Sequence, residues 1–288
     1  MIKFSIIIPH YNSPLLLKQL LISIGSKEGV EVIVVDDKSD RFKAEYEYLS
    51  EQFKSKQAKF IDNNTDFKGA GVCRNLGIRA SKGQWLIFAD ADDLMEEDWF
   101  KTIESKQLDN AEIHFFRPKS LMLAGHDGSK RHVEYDKLVS DYISKPTLYI
   151  EDSLRFKFYP TWSKVYSSKL IKKNRIEFES RLHANDMLFT AKAGFYAENI
   201  QAYNEPIYVV REHKYSLTKI KKSHSDVIER LEAYINYVDF LKQNLDESRF
   251  KKLGFRMRSR LKKAILSKPN PFTVIKVVQI SLKSKIPF

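Results

Sequence analysis

Four short, mostly apolar runs in the first ninety residues constrain the fold of this 288-residue chain more than any other feature. They are Phe4–Ile8, Val30–Val35, Ala58–Ile61 and Trp85–Ala89, and each stops abruptly at a proline or at acids. Runs of four to six such residues read as buried strands rather than helices. Helical patterns separate them. Ser13-Pro14 opens a helix with a cap residue and a first-turn proline. The stripe Leu16, Leu17, Leu20, Leu21 and Ile24 follows, and Gly25 and Gly29 bracket the turn out. A polar helix is expected at about 41–55, and another runs from Gly69 and Gly71 through Ala80, ended by Gly83. Strands that are apolar along most of their length need cover on both faces, and strand–helix alternation implies a parallel sheet.

In such a sheet the C-terminal strand ends lie along one edge, where ligands bind. Here those ends carry Pro9-His10-Tyr11-Asn12, Asp36-Asp37 and Asp90-Ala91-Asp92-Asp93. Asp90 and Asp92, spaced i, i+2, share a face if the backbone stays extended. Crowded carboxylates repel, and a hard divalent cation relieves that repulsion. A solvated acidic turn capping the next helix is the plainer alternative. An acid ending the second strand can accept hydrogen bonds from a ribose or a base, Tyr11 can stack on a base, and a metal at Asp92 can neutralise a diphosphate. Together these parts suit a nucleoside diphosphate.

Beyond about residue 111 the alternation loosens. A strand is expected over Ala111–Phe116, and short strands and turns over 121–135 around Gly125 and Gly128. Helices are expected in parts of 136–157 and 185–197, and a strand over Tyr203–Arg211. The best boundary falls near 220, giving a body of 1–220, with halves of about 1–115 and 116–220, and a helical region of 221–288. The lone Cys73 excludes an intrachain disulfide and fits a reducing compartment. No signal-peptide pattern and no run of 18 apolar residues is present, so a cytoplasmic location is expected.

The net charge of +12 is unevenly placed. Residues 249–288 hold 12 of the 49 basic residues and no acid, leaving 37 basic against 37 acidic residues in 1–248. The tail is also amphipathic: Phe250, Leu253, Met257, Leu261, Ala264 and Ile265 recur at helical spacing, and Phe272, Ile275, Val278 and Leu282 repeat the pattern after two prolines. A basic amphipathic helix suits the anionic inner face of a membrane. Packing on the body is the second reading of the tail, and nucleic acid, which is not expected as a partner, the third.

Four blocks, in order, resemble glycosyltransferase family 2, the inverting enzymes of the GT-A fold. They are Phe4-Ser5-Ile6-Ile7-Ile8-Pro9-His10-Tyr11-Asn12, Val32-Ile33-Val34-Val35-Asp36-Asp37-Lys38-Ser39, Gly69 to Gly77, and Gly83 to Asp93. The resemblance continues at Trp162-Ser163-Lys164-Val165-Tyr166, Phe178 and Asn185-Asp186-Met187-Leu188-Phe189, and so covers about 1–218. It implies a Rossmann-like, mostly parallel α/β sheet flanked by helices, with the basic helical tail as an extension. It further implies an enzyme that moves one sugar from a nucleotide-sugar, UDP by family frequency, to a glycan or lipid-linked acceptor in capsule, O-antigen or lipopolysaccharide synthesis. Pro9, Tyr11, Asp37, Arg74 and Asp90 would bind the donor. Asp90 and Asp92 would hold Mn²⁺ or Mg²⁺, and Asp186 would be the catalytic base. The family commonly has Glu-Asp where this chain has Asn185-Asp186. Arg211, His213, Trp162, Lys164 and His183 are further candidates for diphosphate or acceptor contacts.

Other classes fit less well. A dehydrogenase needs a Gly-x-Gly-x-x-Gly turn after the first strand, where Pro9-His10-Tyr11-Asn12-Ser13 stands. A nucleotidyltransferase usually has a glycine-rich basic loop there. Processive synthases usually carry transmembrane helices and a Gln-x-x-Arg-Trp motif, both missing. The remaining alternative is a membrane- or nucleic-acid-binding module with a degenerate, inactive body.

Overall fold

The computed structural model describes residues 1–54, 58–122, 131–212, 223–267, 271–284 and 286. The body begins with β1 (Phe4–His10), α1 (Pro14–Ile24), β2 (Val30–Asp36), α2 (Lys43–Lys54), β3 (Ala58–Asp62), α3 (Ala70–Ala80) and β4 (Trp85–Phe88). It continues with β5 (Leu94–Met95), α4 (Trp99–Glu104), β6 (Ile113–Phe116), β7 (Lys119–Met122), α5 (Arg131–Ser144), α6 (Leu148–Lys157), β8 (Lys164–Ser167), α7 (Ser168–Lys173), α8 (Asp186–Tyr196), β9 (Ile200–Tyr203) and β10 (Tyr208–Glu212). Four helices close the chain: α9 (His224–Asn244), α10 (Glu247–Leu253), α11 (Met257–Ser267) and α12 (Pro271–Lys283).

Seven strands form the central sheet in the order β3-β2-β1-β4-β8-β6-β9, and β5-β10-β7 form a small second sheet. The first four are mutually parallel, β8 is antiparallel to both β4 and β6, and β6 is parallel to β9. The expected mostly parallel sheet is therefore present, with its apolar runs in the core: Phe4, Ile6, Ile7, Ile8, Leu86 and Phe88 are fully buried. Helix α3 lies close on β1, because a Cβ at Gly77 would stand 2.3 Å from Ile7 Cγ2. The Gly83 turn packs as tightly against the backbone of Ser5. Ser13 stands at the start of α1 as expected, but its hydroxyl makes no cap. Its N–H instead donates to His10 Nε2 (3.1 Å).

The second half departs from the sequence reading in definite ways. The single strand expected over Tyr203–Arg211 is two strands in different sheets, split at Asn204-Glu205-Pro206, where proline lacks the N–H a ladder needs. Residues 131–135 belong to helix α5 rather than to strands and turns, while 123–130 lie outside the described residues. Strand β8 and helix α7 carried no periodic signal of their own.

The tail is packed on the body. Phe250, Leu253, Phe255, Met257 and Val277 form a second core with Phe156, Met187 and Ala191 of the body and Leu231, Tyr237 and Leu241 of α9. Most of the first apolar stripe therefore faces inward. Helix α12 behaves differently: it buries Thr273, Val277 and Ser281 and exposes Phe272, Ile275 and Leu282 at 83%, 54% and 67%. No described helix is long and apolar enough to cross a membrane.

Candidate active site

The ends of β1 and β2 are welded by polar contacts. Ser13 N–H occupies His10 Nε2, so the imidazole proton sits on Nδ1 and is donated to Asp36 Oδ1 at 2.7 Å. That bond and those from Ser39 hold the Asp36 carboxyl below its usual range against burial, which pushes it up. Asp36 is thus a buried brace, and Asp37 faces the next element. Asp37 accepts from Asn63 Nδ2 (2.8 Å) and from the Gly69 N–H (2.7 Å). Gly69 adopts φ +123°, which only glycine takes up without strain, and a Cβ there would meet Arg181 O at 2.8 Å. Asp37 also bonds the Cys73 thiol and keeps acceptor capacity for a further donor. Beside it Tyr11 is 46% exposed, so a ring face is open for stacking, with Lys68 Nζ 5.4 Å from its centroid. Pro9 is buried beneath.

The acidic turn follows β4. One oxygen from each of Asp90, Asp92 and Asp93 lies within 4.8 Å of the others. Such an all-oxygen set fits a hard divalent cation, but the three acids are not equivalent. Asp93 is buried and both its oxygens are engaged, by Tyr208 O–H (2.9 Å) and the Arg211 N–H (2.7 Å). Burial first, then the neighbouring Asp92 and Asp90, drives the Asp93 carboxyl well above the ordinary range. The next helix, α4, starts at Trp99, with Asp98 at its cap position. Asp93 is therefore no helix cap: it ties the turn to β10. Tyr208 Oη also accepts the Asp90 N–H (2.8 Å), and Arg211 Nε donates to Asp92 O (2.6 Å). Arg211 reaches Gln19 as well. Asp90 and Asp92, both partly exposed, are the pair that faces the crevice.

Arg74 joins this turn to the loop before α8. Its guanidinium donates to Asp90 Oδ1 (2.6 Å) and Asn185 Oδ1 (2.9 Å), and lies 5.3 Å from the Phe178 ring centre. Asn185, where the family commonly has glutamate, thus serves as a neutral acceptor. Asp186 is partly exposed at the first position of α8. Burial raises its carboxyl above the ordinary range, Arg74 and Lys164 oppose that, and Asp90 adds to it. A carboxylate raised this way is a better proton acceptor than a solvated one.

The remaining candidates are spread out. Trp162 is in the core, parallel to the Tyr208 ring at 6.0 Å and edge-on to Tyr135 and Phe158. Lys164 is 1% exposed, donates to Phe158 O (2.5 Å) and lies 4.2 Å from that residue's ring centre. Burial lowers its ammonium well below the usual range, opposed by Asp186. His183 points to α9, with Nδ1 3.1 Å from Arg230 and Nε2 3.2 Å from Asp226 Oδ1. His213 lies outside the described residues. Sequence reasoning passed over Asn63, Tyr208 and Gln19. Asn63 ends a strand and was legible as such. Tyr208, one aromatic in a strand, gave no sign of its hydroxyl's work.

An open α/β sheet whose edge presents an exposed aromatic ring, an acid at β2 and a paired-acid turn after β4 is the frame of the GT-A proteins. The family model for glycosyl transferase family 2 matches residues 5–162, and the chain belongs to that family. Among curated proteins it is 28% identical to the poly(ribitol-phosphate) beta-N-acetylglucosaminyltransferase TarS of Staphylococcus aureus, over 83% of this chain and 39% of that protein. It is 23% identical to the putative glycosyltransferase EpsH of Bacillus subtilis, over 83% of this chain and 69% of that one. The chain thus spans well under half the length of TarS. The structure of TarS residues 1–349 with UDP-GlcNAc superposes with a TM-score of 0.77 at 21% identity, covering 99% of this chain and 82% of that one. The mannosyltransferase PcManGT from Pyrobaculum calidifontis, solved with GDP-Man and Mn²⁺, superposes at 0.58 and 14% identity, over 96% of this chain and 73% of that one. The shared fold is GT-A.

Proposed function

We propose that this protein is a metal-dependent inverting glycosyltransferase. It moves one sugar from a nucleotide-sugar to an acceptor hydroxyl of a surface glycan or lipid-linked glycan. The observation that carries the reading is the Arg74 bridge, which sets the Asp90 side of the acidic turn and the Asn185-Asp186 loop on one guanidinium. On this reading the bridge holds the Asp90 carboxylate and the loop of the base relative to each other.

Asp37 and the exposed face of Tyr11 receive the nucleoside, and Arg74 lies where a diphosphate's charge would fall. Asp90 and Asp92 would hold Mn²⁺ or Mg²⁺, which when bound would offset the negative charge of the diphosphate. Asp186 takes the proton of the attacking hydroxyl. One displacement inverts the anomeric carbon, so one base suffices, unlike the paired carboxyls of retaining hydrolases. UDP is the preferred nucleotide, supported by the UDP-GlcNAc-bound TarS neighbour. A surface-polymer acceptor is supported by the poly(ribitol-phosphate) named for TarS and for a Bacillus spizizenii glucosyltransferase that is 25% identical over 98% of this chain. The protein works in the cytoplasm at the inner membrane face, where the exposed Phe272, Ile275 and Leu282 of α12 stand beside Lys276 and Lys283 and meet anionic lipid.

The test is a thermal-shift screen of UDP-N-acetylglucosamine, UDP-glucose, GDP-mannose and a dTDP-sugar, each with and without Mn²⁺. One donor should stabilise the wild type only with metal, by about 2–3 kcal/mol at about a hundred times its Kd. Asp92→Asn should lose that dependence and release no nucleoside diphosphate. Undiminished turnover in Asp92→Asn would refute the metal assignment.

A further inference from the structure

The loop that delivers Asp186 is gripped from two sides, and only one grip belongs to the crevice. On the α3 side, Asn75 exchanges two hydrogen bonds with the Phe178 backbone, both 2.9 Å, and Arg74 holds Asn185. A Cβ at Gly71 would meet Glu179 O at 2.5 Å, so loop and helix touch backbone to backbone. On the other side stands α9, from the helical region beyond the family-model match. Asp226, Glu229 and Arg230, spaced i, i+3, i+4, share one face of its first two turns. Glu229 Oε1 accepts the Leu182 N–H at 2.6 Å, and its backbone carbonyl accepts from Arg181 at 3.0 Å. Arg230 donates to His183 Nδ1, so the His183 proton is on Nε2 and points to Asp226. Two turns on, Asn236 donates to Glu179 Oε1 at 2.8 Å.

Between these anchors and the base, Ala184 adopts φ +53°. A residue with a Cβ pays to sit in the left-handed region and stays there only when its surroundings over-determine it. Leu182 and His183 immediately precede that residue, and both are held by α9.

We propose that Asp226, Glu229 and Arg230 of α9 are positioning residues for Asp186, so that the C-terminal region is part of the catalytic apparatus. The proposal rests on Asp186 being the base. These residues touch no reacting atom. They hold the Leu182 N–H and the Arg181 and His183 side chains, so that Ala184 keeps its turn and the Asp186 carboxylate stays in line with the acceptor.

The experiment uses the full chain. Turnover is read as nucleoside diphosphate released from whichever sugar nucleotide of the screen stabilises the wild type, and donor affinity by thermal-shift titration with Mn²⁺. Glu229→Leu should lower kcat about tenfold to a hundredfold, the scale of an ångström-level misplacement, and leave donor affinity unchanged. Glu229→Gln, which keeps an acceptor oxygen for Leu182, should restore most of that loss. Arg230→Met keeps the aliphatic stem, loses the His183 contact and should lower kcat severalfold with the protein folded. Wild-type kcat in both Glu229→Leu and Arg230→Met, beside an inactive Asp186→Asn, would overturn the clamp alone. Wild-type turnover in Asp186→Asn would overturn the base assignment and the clamp with it. Equal loss of kcat and donor affinity would also overturn it, since a general loosening of the crevice would then be the cause.

Discussion

Asp93 and Asp186 show how differently two acids with raised carboxyls can be used. Asp93 spends both oxygens on Tyr208 and Arg211, so its removal strands a buried hydroxyl and a buried N–H. Asp93→Ala should cost about 1–3 kcal/mol in urea unfolding, and Asp93→Asn, which keeps one acceptor, less. Asp186 shares the upward shift of its carboxyl with Asp93 but not those two bonds. Its folded-state carboxyl lies above the unfolded value, so the folded protein binds that proton more tightly and the ionised form is penalised once pH rises through the folded pKa. Asp186→Asn should therefore be at least as stable as the wild type at pH 7 while losing about a hundredfold or more in kcat. A lower melting temperature would contradict the sign. The same shift sets the acid limb of kcat/KM. Activity needs the carboxylate and should fall as pH drops through a midpoint above the ordinary aspartate value of about 3.9. Arg74→Met removes the main opposing cation and should move that midpoint further up.

At the scale of elements, the contacts between α3 and its neighbours decide how the crevice is shaped. Gly77→Ala would drive a methyl into Ile7 and should cost about 1–3 kcal/mol by overpacking, visible as a lower urea midpoint. The first half of the molecule was legible because its strands are buried on both faces, which forces near-continuous apolar runs, and because prolines, glycines and acids mark their ends. The parallel pairing and the crevice edge followed from that alternation. The elements after β4 were not: β8 is four residues long and includes the buried Lys164, and β5 is two residues. Periodicity needs more residues than these elements have. The site divided along the same line. Tyr11, Asp37, Asp90 and Asp92 stand at strand ends and could be read by position. The work of Tyr208, Asn185 and α9 depends on contacts between residues more than a hundred apart in the case of Tyr208 with Asp90 and Arg74 with Asn185, which no local pattern encodes.

For the whole molecule, the tail's charge and its packing have to be considered together. The apolar residues of α10 and α11 are largely consumed against α6 and α9, so any lipid contact falls to α12. Replacing Phe272, Ile275 and Leu282 by serine should weaken binding to vesicles containing phosphatidylserine, and added salt should weaken the wild type too, since lysines near such a surface contribute about 1 kcal/mol each. Equal vesicle binding by the triple variant would exclude this face. Helix α12 also packs on α9 through the His224–Thr273 contact, so the helix proposed to meet lipid rests directly on the helix proposed to clamp the base loop.

Strand β10 has a consequence in time as well as in space. Chains emerge from the ribosome N-terminal end first, and segments fold as they appear. The four parallel strands β3, β2, β1 and β4 are complete once residue 88 is out. The acids that follow must wait for Tyr208 and Arg211, well over a hundred residues later, before Asp93 is gripped and the turn acquires its shape. From residue 88 until residue 211 has emerged the nascent chain therefore carries a finished half-sheet with an ungripped acidic turn, and the candidate cation site takes form only then.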